Sequence, residues 1–239
     1  MKTRLKELFT FFLFVIGLTE LRAQTDNILT DTRDRNIYKT VQIGNQTWMA
    51  ENLKFLPRID SLAVEKETTP YYYVYDYFGN NVSDAKSKKE YKNYGVLYNW
   101  TAAMNNSASS NSNPSRIQGV CPIDWHLPSD AEWIQLTDYL GGEKEAGRKL
   151  KEVGTTHWQV LRGGIQPDAT DETGFTALPG GNCFSNGNFY LSRFNGYWWS
   201  STESDSNYAL YRVMQNIDSG VQRISINKAL GFSVRCVKD

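Results

Sequence analysis

The chain is poor in residues that do chemistry. Two histidines occur among 239 residues, His126 and His157. No GxSxG, HExxH or phosphate-cradling loop is present. His126 stands between Trp125 and Leu127-Pro128 at a helix start. A structural role is the better reading there, because one histidine rarely makes a metal site. No catalytic residue, no cofactor and no enzyme activity is expected. An excess of either charge is also lacking: 26 Lys and Arg balance 26 Asp and Glu. That argues against nucleic acid and against anionic membrane surfaces as partners, since both demand a basic face. Long apolar runs are missing too. The one candidate, Leu8 to Leu18, falls short of the roughly 18 residues a membrane anchor needs.

That short run has a basic flank, Lys2, Arg4 and Lys6, and is followed by Leu21-Arg22-Ala23. The layout is that of a secretory signal peptide, residues 1–23, cleaved after Ala23. The remaining 216 residues would carry 22 basic and 24 acidic side chains. The expected location is therefore exported: periplasmic, outer surface or secreted, and not membrane-spanning after cleavage. Three cysteines, Cys121, Cys183 and Cys236, suit one disulfide and one spare thiol in an exported chain. The expected pair is Cys121 with Cys236, leaving Cys183 free and buried. Spacing alone leaves open the alternative of three reduced thiols.

Along the chain, residues 24–36 read as a short exposed leader. Residues 37–239 read as one domain. Tyr38 to Ile43 alternates, Gly44-Asn45 turns, and Gln46 to Ala50 continues, which predicts a hairpin at a sheet edge. Residues 56–93 read as an insertion. In it Tyr71, Tyr73, Tyr75 and Tyr77 would share one face of a strand, either as a platform for a flat ligand or, preferably, as packing. Val96, Leu97, Trp100, Ala103 and Met104 fit one helical face, so 94–104 is predicted helical. The Ser- and Asn-rich stretch 105–118 reads as a mobile, exposed loop. Ser129 and Glu132 form a capping box, with Asp130 at the dipole's positive end. Trp133, Leu136 and Leu140 line that helix, Gly141-Gly142 ends it, and a second helix is expected around 146–151. Strands are expected at 196–203, 209–214, 221–226 and 232–237. Seven tryptophans imply large aromatic core anchors.

Seven blocks in one order carry a resemblance. They are Tyr38 to Leu53, Tyr94 to Trp100, Cys121 to Trp133, Gly154 to Trp158, Gly174 to Gly181, Gly196 to Glu203 and Gly231 to Val237. The chain resembles the Fibrobacter succinogenes major paralogous domain. The resemblance implies an α+β, C-type-lectin-like fold: two helices packed on a small twisted antiparallel sheet with long loops. It also implies export from gut or rumen bacteria and kinship with formylglycine-generating enzymes. Arg35 departs from the family, standing where a glycine is common, as does Cys183 in a loop that usually lacks cysteine.

The function expected from this is a non-catalytic binding module that recognises a glycan or a surface protein at the bacterial cell envelope. The candidate ligand-binding residues are Tyr72, Tyr75, Trp198, Trp199 and Glu203. A structural or adhesin-type envelope component is the alternative, and a redox enzyme using Cys183 is a less favoured one. Calcium could be considered at Glu203, Asp205 and Asn207, or at Asp168, Asp171 and Glu172. Neither group has an identifying ligand spacing, and turn formation explains both, so no metal is expected.

Overall fold

The computed structural model describes residues 27–60, 68–160 and 169–239. The expected signal peptide, residues 1–23, lies outside them. In chain order the elements are β1 (Ile28–Thr30), β2 (Ile37–Ile43), β3 (Gln46–Met49), β4 (Tyr72–Tyr73), α1 (Val82–Ser87), α2 (Lys89–Tyr94), β5 (Leu97–Tyr98) and α3 (Trp100–Met104). There follow β6 (Trp125–His126), α4 (Asp130–Tyr139), α5 (Glu143–Leu150), β7 (Gly180–Cys183), β8 (Phe189–Ser192), β9 (Asn195–Glu203), β10 (Tyr208–Gln215), β11 (Gln222–Asn227) and β12 (Val237–Lys238). The described residues are thus α+β, with short helices around four small sheets instead of two helices on one sheet. The sheets run β1-β2-β3-β12-β6, β11-β10-β9, β4-β5 and β7-β8, and every strand pairing in them is antiparallel.

The C-terminal segment holds these sheets together. Gly231 bridges Cys183, Phe232 bridges Tyr98, and Ser233 bridges Trp198. Val237 then inserts between Trp48 and His126. The predicted strand 232–237 is regular only at its end, because its earlier residues serve different sheets in turn. A disulfide joins Cys121 to Cys236 across 115 residues, and Cys183 is free and buried, as expected.

Several expectations are corrected. The leader is not wholly exposed: β1 pairs with β2, and Asp31 is fully buried, its carboxylate held by Arg33. Arg35 takes φ 61, the left-handed region where glycine is the easy residue. The β2–β3 hairpin forms, but it is interior to its sheet, since β1 and β12 flank it. The described part of 56–93 is built into the main core through Leu56, Tyr72, Val74, Ala85 and Tyr91. The single helix over 94–104 splits. Gly95 at φ 74 ends α2, and a two-residue strand follows. Asn99 then caps α3 by accepting from the Ala102 N–H. The apolar spacing that looked helical thus belongs to a strand followed by a helix, all of it buried. Residues 105–118 are not a loose loop. Ser110 N–H donates to Ser201 O, Ser115 N–H to Glu132 and Ser115 Oγ to Leu127 O, while Thr202 Oγ1 donates to Ser110 O. The capping box at Ser129 and Glu132 is present in both directions. The second helix starts at Glu143, one turn before its expected position, after Gly142 at φ 97.

Two cores result. The larger gathers Tyr98, Trp199, Tyr211, Phe232 and the disulfide. The smaller packs Trp48, Trp133, Phe175 and Trp198 under α4 and α5. Arg235, also fully buried, lies 4.0 Å from the centre of the Phe175 ring, and its Nε donates to Asn52 Oδ1. The same oxygen accepts from Trp198 Nε1 at 2.9 Å, so Asn52 ties the guanidinium to an indole. Burial lowers the pKa of Arg235, and Asp171 and Glu51 oppose that only from a distance.

Candidate functional site

The residues singled out as ligand contacts do not converge. Trp198 and Trp199 are 0% exposed and occupy the two different cores. Their N–H groups are spent on Asn52 and on Tyr98 O. Neither indole can face a ligand, because β9 is covered over almost its whole length. Tyr72 is buried edge-on against Tyr98. All seven tryptophans are in fact buried. Of the tyrosine row, Tyr71 stacks on Tyr73 at 6.1 Å, and Tyr73 packs with Leu97 and Cys183, so packing explains this face. Tyr75 remains half-buried at the surface.

Glu203 is exposed, but its carboxylate belongs to Lys228. The Lys228 ammonium donates to Glu203 Oε2 at 2.7 Å, to Ser206 O at 2.8 Å and to Asp205 O at 3.0 Å. Its three donors are thereby used, and it sits 4.6 Å from the centre of the Trp100 ring. Asp205 Oδ1 meanwhile accepts the N–H groups of Asn207 and Tyr208. Of the oxygens that could have suggested calcium, the Glu203 carboxylate thus faces a cation supplied by the chain itself and the Asp205 carboxylate closes the turn. In the second group, Asp171 accepts from Thr176 N–H and Oγ1, and Glu172 pairs with Lys149. Asp168 lies outside the described residues. Lys228→Met is expected to cost about 1–2 kcal/mol, a figure held low because Glu203 is partly solvated. Melting of the native protein should be indifferent to millimolar calcium; a calcium-dependent rise would show that Lys228 does not own this loop.

The other candidate chemical groups are equally committed. Burial pushes the Cys183 thiol up to about 12, so it stays protonated and is a poor nucleophile. His126 is buried between Glu132, 2.7 Å from Nε2, and Asp239, 2.6 Å from Nδ1. Burial works against its charge, but the Glu132 and Asp239 carboxylates outweigh that and raise its pKa. The other Glu132 oxygen accepts from the N–H groups of Ser115 and Ser129. His126 therefore ties β6, α4 and the 105–118 segment to the C-terminal segment. His157 bonds Glu152 and meets the Tyr94 ring edge-on.

Several exposed rings gather at one hairpin. The β7–β8 hairpin turns through Phe184 to Asn188, with Gly187 at φ 80. Gly181, at φ 67, is required. A Cβ there would lie 2.5 Å from Tyr190 O and 2.7 Å from the Tyr75 ring. That close approach lets Tyr75 meet Phe189 at 5.2 Å, while Phe78 meets the same ring at 5.4 Å. Tyr190, next along the strand and so on the opposite face, packs on Phe184 at 5.0 Å. Phe78 is 58% exposed, Leu191 45%, Tyr190 43% and Phe184 41%. The hairpin thus carries rings on both faces, Tyr75 and Phe78 around Phe189 on one and Phe184 against Tyr190 on the other, and exposed apolar residues gathered at one element mark an interaction surface where single ones do not. Of the sequence candidates only Tyr75 belongs here. The signal that was passed over is Phe184-Ser185-Asn186-Gly187-Asn188-Phe189-Tyr190, an Asn-Gly turn flanked by rings.

Among the described residues no helix is long and apolar enough to cross a membrane. That and the disulfide are compatible with an exported protein. No curated protein and no solved structure matches the chain. A family model, the Fibrobacter succinogenes major domain, matches residues 41–238, nearly the whole of the chain beyond its N-terminal segment. The chain belongs to the Fibrobacter succinogenes major domain family.

Proposed function

We propose that this chain is an exported, non-catalytic binding module of C-type-lectin-like fold, which grips a protein ligand at the cell envelope through its β7–β8 hairpin. The observation that carries the reading is the set of exposed rings Phe78, Phe184 and Tyr190, seated on the half-buried Tyr75 and Phe189 at a hairpin pinned by Gly181. Rigid aromatic anchors of this kind dominate protein–protein contacts. Protein is favoured over glycan because the exposed residues are mainly Phe and Leu, which offer sugar hydroxyls no hydrogen bond, and because every tryptophan is buried.

The test uses isolated cell-envelope fragments in a sedimentation assay. Saturable binding is expected, surviving periodate oxidation of sugars and abolished by protease treatment of the fragments. The double variant Phe78→Ser/Tyr190→Ser should lose at least about tenfold in affinity, the scale of a hot-spot truncation, at unchanged melting temperature. Undiminished binding by that variant, or loss on periodate treatment alone, would overturn the reading.

A further inference from the structure

The free edge of β11 differs from the other strand edges. β1 has three residues and β6 two. The edge of β8 is broken by Leu191 at φ 62. β9 is covered and its pairing with β10 shifts register. β11 has six residues, pairs with β10 through six consecutive positions without a bulge, and is exposed from Gln222 to Ser225. Natural edges are usually blunted by proline, a bulge, a lysine or a cover. β11 carries no proline or lysine, and its one charge, Arg223, is tied to Asp130.

The phase of the ladder shows which groups are free. Lys228 N–H donates to Asn207 O at 3.0 Å, just past the Tyr208–Asn227 pair. Alternation then turns the backbone of 226, 224 and 222 toward β10 and that of Arg223 and Ser225 outward. Arg223 and Ser225 thus offer two N–H and two C=O groups, and no bond to any of the four is found among the described residues. Between these two residues lies Ile224, 39% exposed.

We infer that β11 pairs antiparallel with β11 of a second copy about a two-fold axis at Ile224. In that register Arg223 faces the partner's Ser225 and Ser225 faces the partner's Arg223. All four outward groups of each copy are then used, and the two copies share a continuous six-stranded sheet. Ile224 meets the partner's Ile224 at the close, non-hydrogen-bonded position of the ladder, which hides the exposed apolar side chain of this edge. No like charges stand opposite one another, and the interface is self-complementary, as a two-fold contact must be. A groove of about 490 Å³, lined by Glu143, Lys144 and residues 218–224, leaves the start of β11 open for the incoming strand to run past Gln222.

Sedimentation over a roughly hundredfold range of concentration should show a dimer with a dissociation constant in about the micromolar range. Ser225→Pro removes an outward N–H and spares the bonds to β10, and Ile224→Lys places like charges on the axis. Both should be monomeric, with melting unchanged at concentrations where the native chain is also monomeric. Ile224→Cys should form a covalent dimer on mild oxidation, since facing residues of this kind lie within disulfide reach. A native chain that stays monomeric, a dimer that persists in both edge variants, or no covalent dimer from Ile224→Cys would each overturn the inference. A monomer would leave the edge to an extended strand of another protein.

Discussion

Replacing both Cys121 and Cys236 by alanine lowers the free energy of unfolding by about 4–5 kcal/mol, the chain-entropy value for a loop of this length. The bridge closes 115 residues, nearly half the chain. The unfolded chain with the bond intact is therefore denied a large set of conformations, and that denial is most of the effect. The native side adds to it. Cys236 lies in the strap that serves four sheets, and its carbonyl accepts from Met49 N–H at 3.0 Å. Cys121 sits where residues 105–118 end, with its N–H on Gln118 O. Without the bond the strap is held by its backbone bridges, by the buried side chains of Phe232 and Val234, and by Arg235 on Asn52 and Phe175. Alanine is the right replacement, because both cysteines are fully buried and serine would bury two hydroxyls. Urea titration reads the difference. The same burial predicts that dithiothreitol acts only through unfolding, so reduction should follow the unfolding rate. A loss under about 1 kcal/mol would mean that the unfolded chain is already compact in this region, and the entropic account would fail.

What the sequence made legible was local. Ser129 and Glu132 read as a capping box because both partners lie within one turn. The β2–β3 hairpin was visible in the alternation about Gly44-Asn45, and the cysteine pair in an odd count for an exported chain. What stayed hidden depends on partners far along the chain. Val96 to Met104 has a helical apolar spacing, yet every apolar position in it is buried, so periodicity could not separate a strand from a helix. Ser110 and Ser115 look like loop composition, and only their bonds to Ser201, Glu132 and Leu127 make that segment rigid. Trp198 and Trp199 were candidates in a chain rich in aromatics and polar loops; here each fills a different core. The exposed rings were less conspicuous, being phenylalanines beside an Asn-Gly turn. Composition cannot say which aromatic is left over once a core is full.

Asp130 is the sharpest case of such distant coupling, and Asp130→Asn is expected to cost about 3–5 kcal/mol, the range for breaking a buried ion pair. From sequence the residue is an acid in the first turn of α4, worth a fraction of a kilocalorie to the helix dipole. In the structure it is 1% exposed and held by two arginines. Oδ1 accepts from Arg212 at 2.7 Å and from Arg223 Nε at 2.8 Å, and Oδ2 accepts from the Arg223 terminal nitrogen at 2.8 Å. Burial alone would raise its pKa, but Arg223 and Arg212 together bring it below the usual carboxylate range. Arg212 is 0% exposed, its Nε has no partner, and among the described residues Asp130 is the carboxylate it pairs with, Glu143 acting only through space. The amide keeps the shape and removes the charge, leaving a guanidinium stranded in the interior. Arg223 is 43% exposed and can turn to water, so Arg223→Gln should cost under about 1 kcal/mol. Asp130→Asn with Arg212→Met should recover much of the loss, because it removes the buried charge that the amide leaves without a partner. The acid limb gives an independent check. A depressed carboxylate stabilises the fold above its unfolded value, about 3.9, and that contribution disappears as pH falls through the lower folded value. The native protein should therefore lose stability below about pH 4, with a flatter curve in Asp130→Asn. Equal costs for Asp130→Asn and Arg223→Gln would show instead that Arg212 finds another partner, and that the link between α4 and β10 does not depend on this carboxylate.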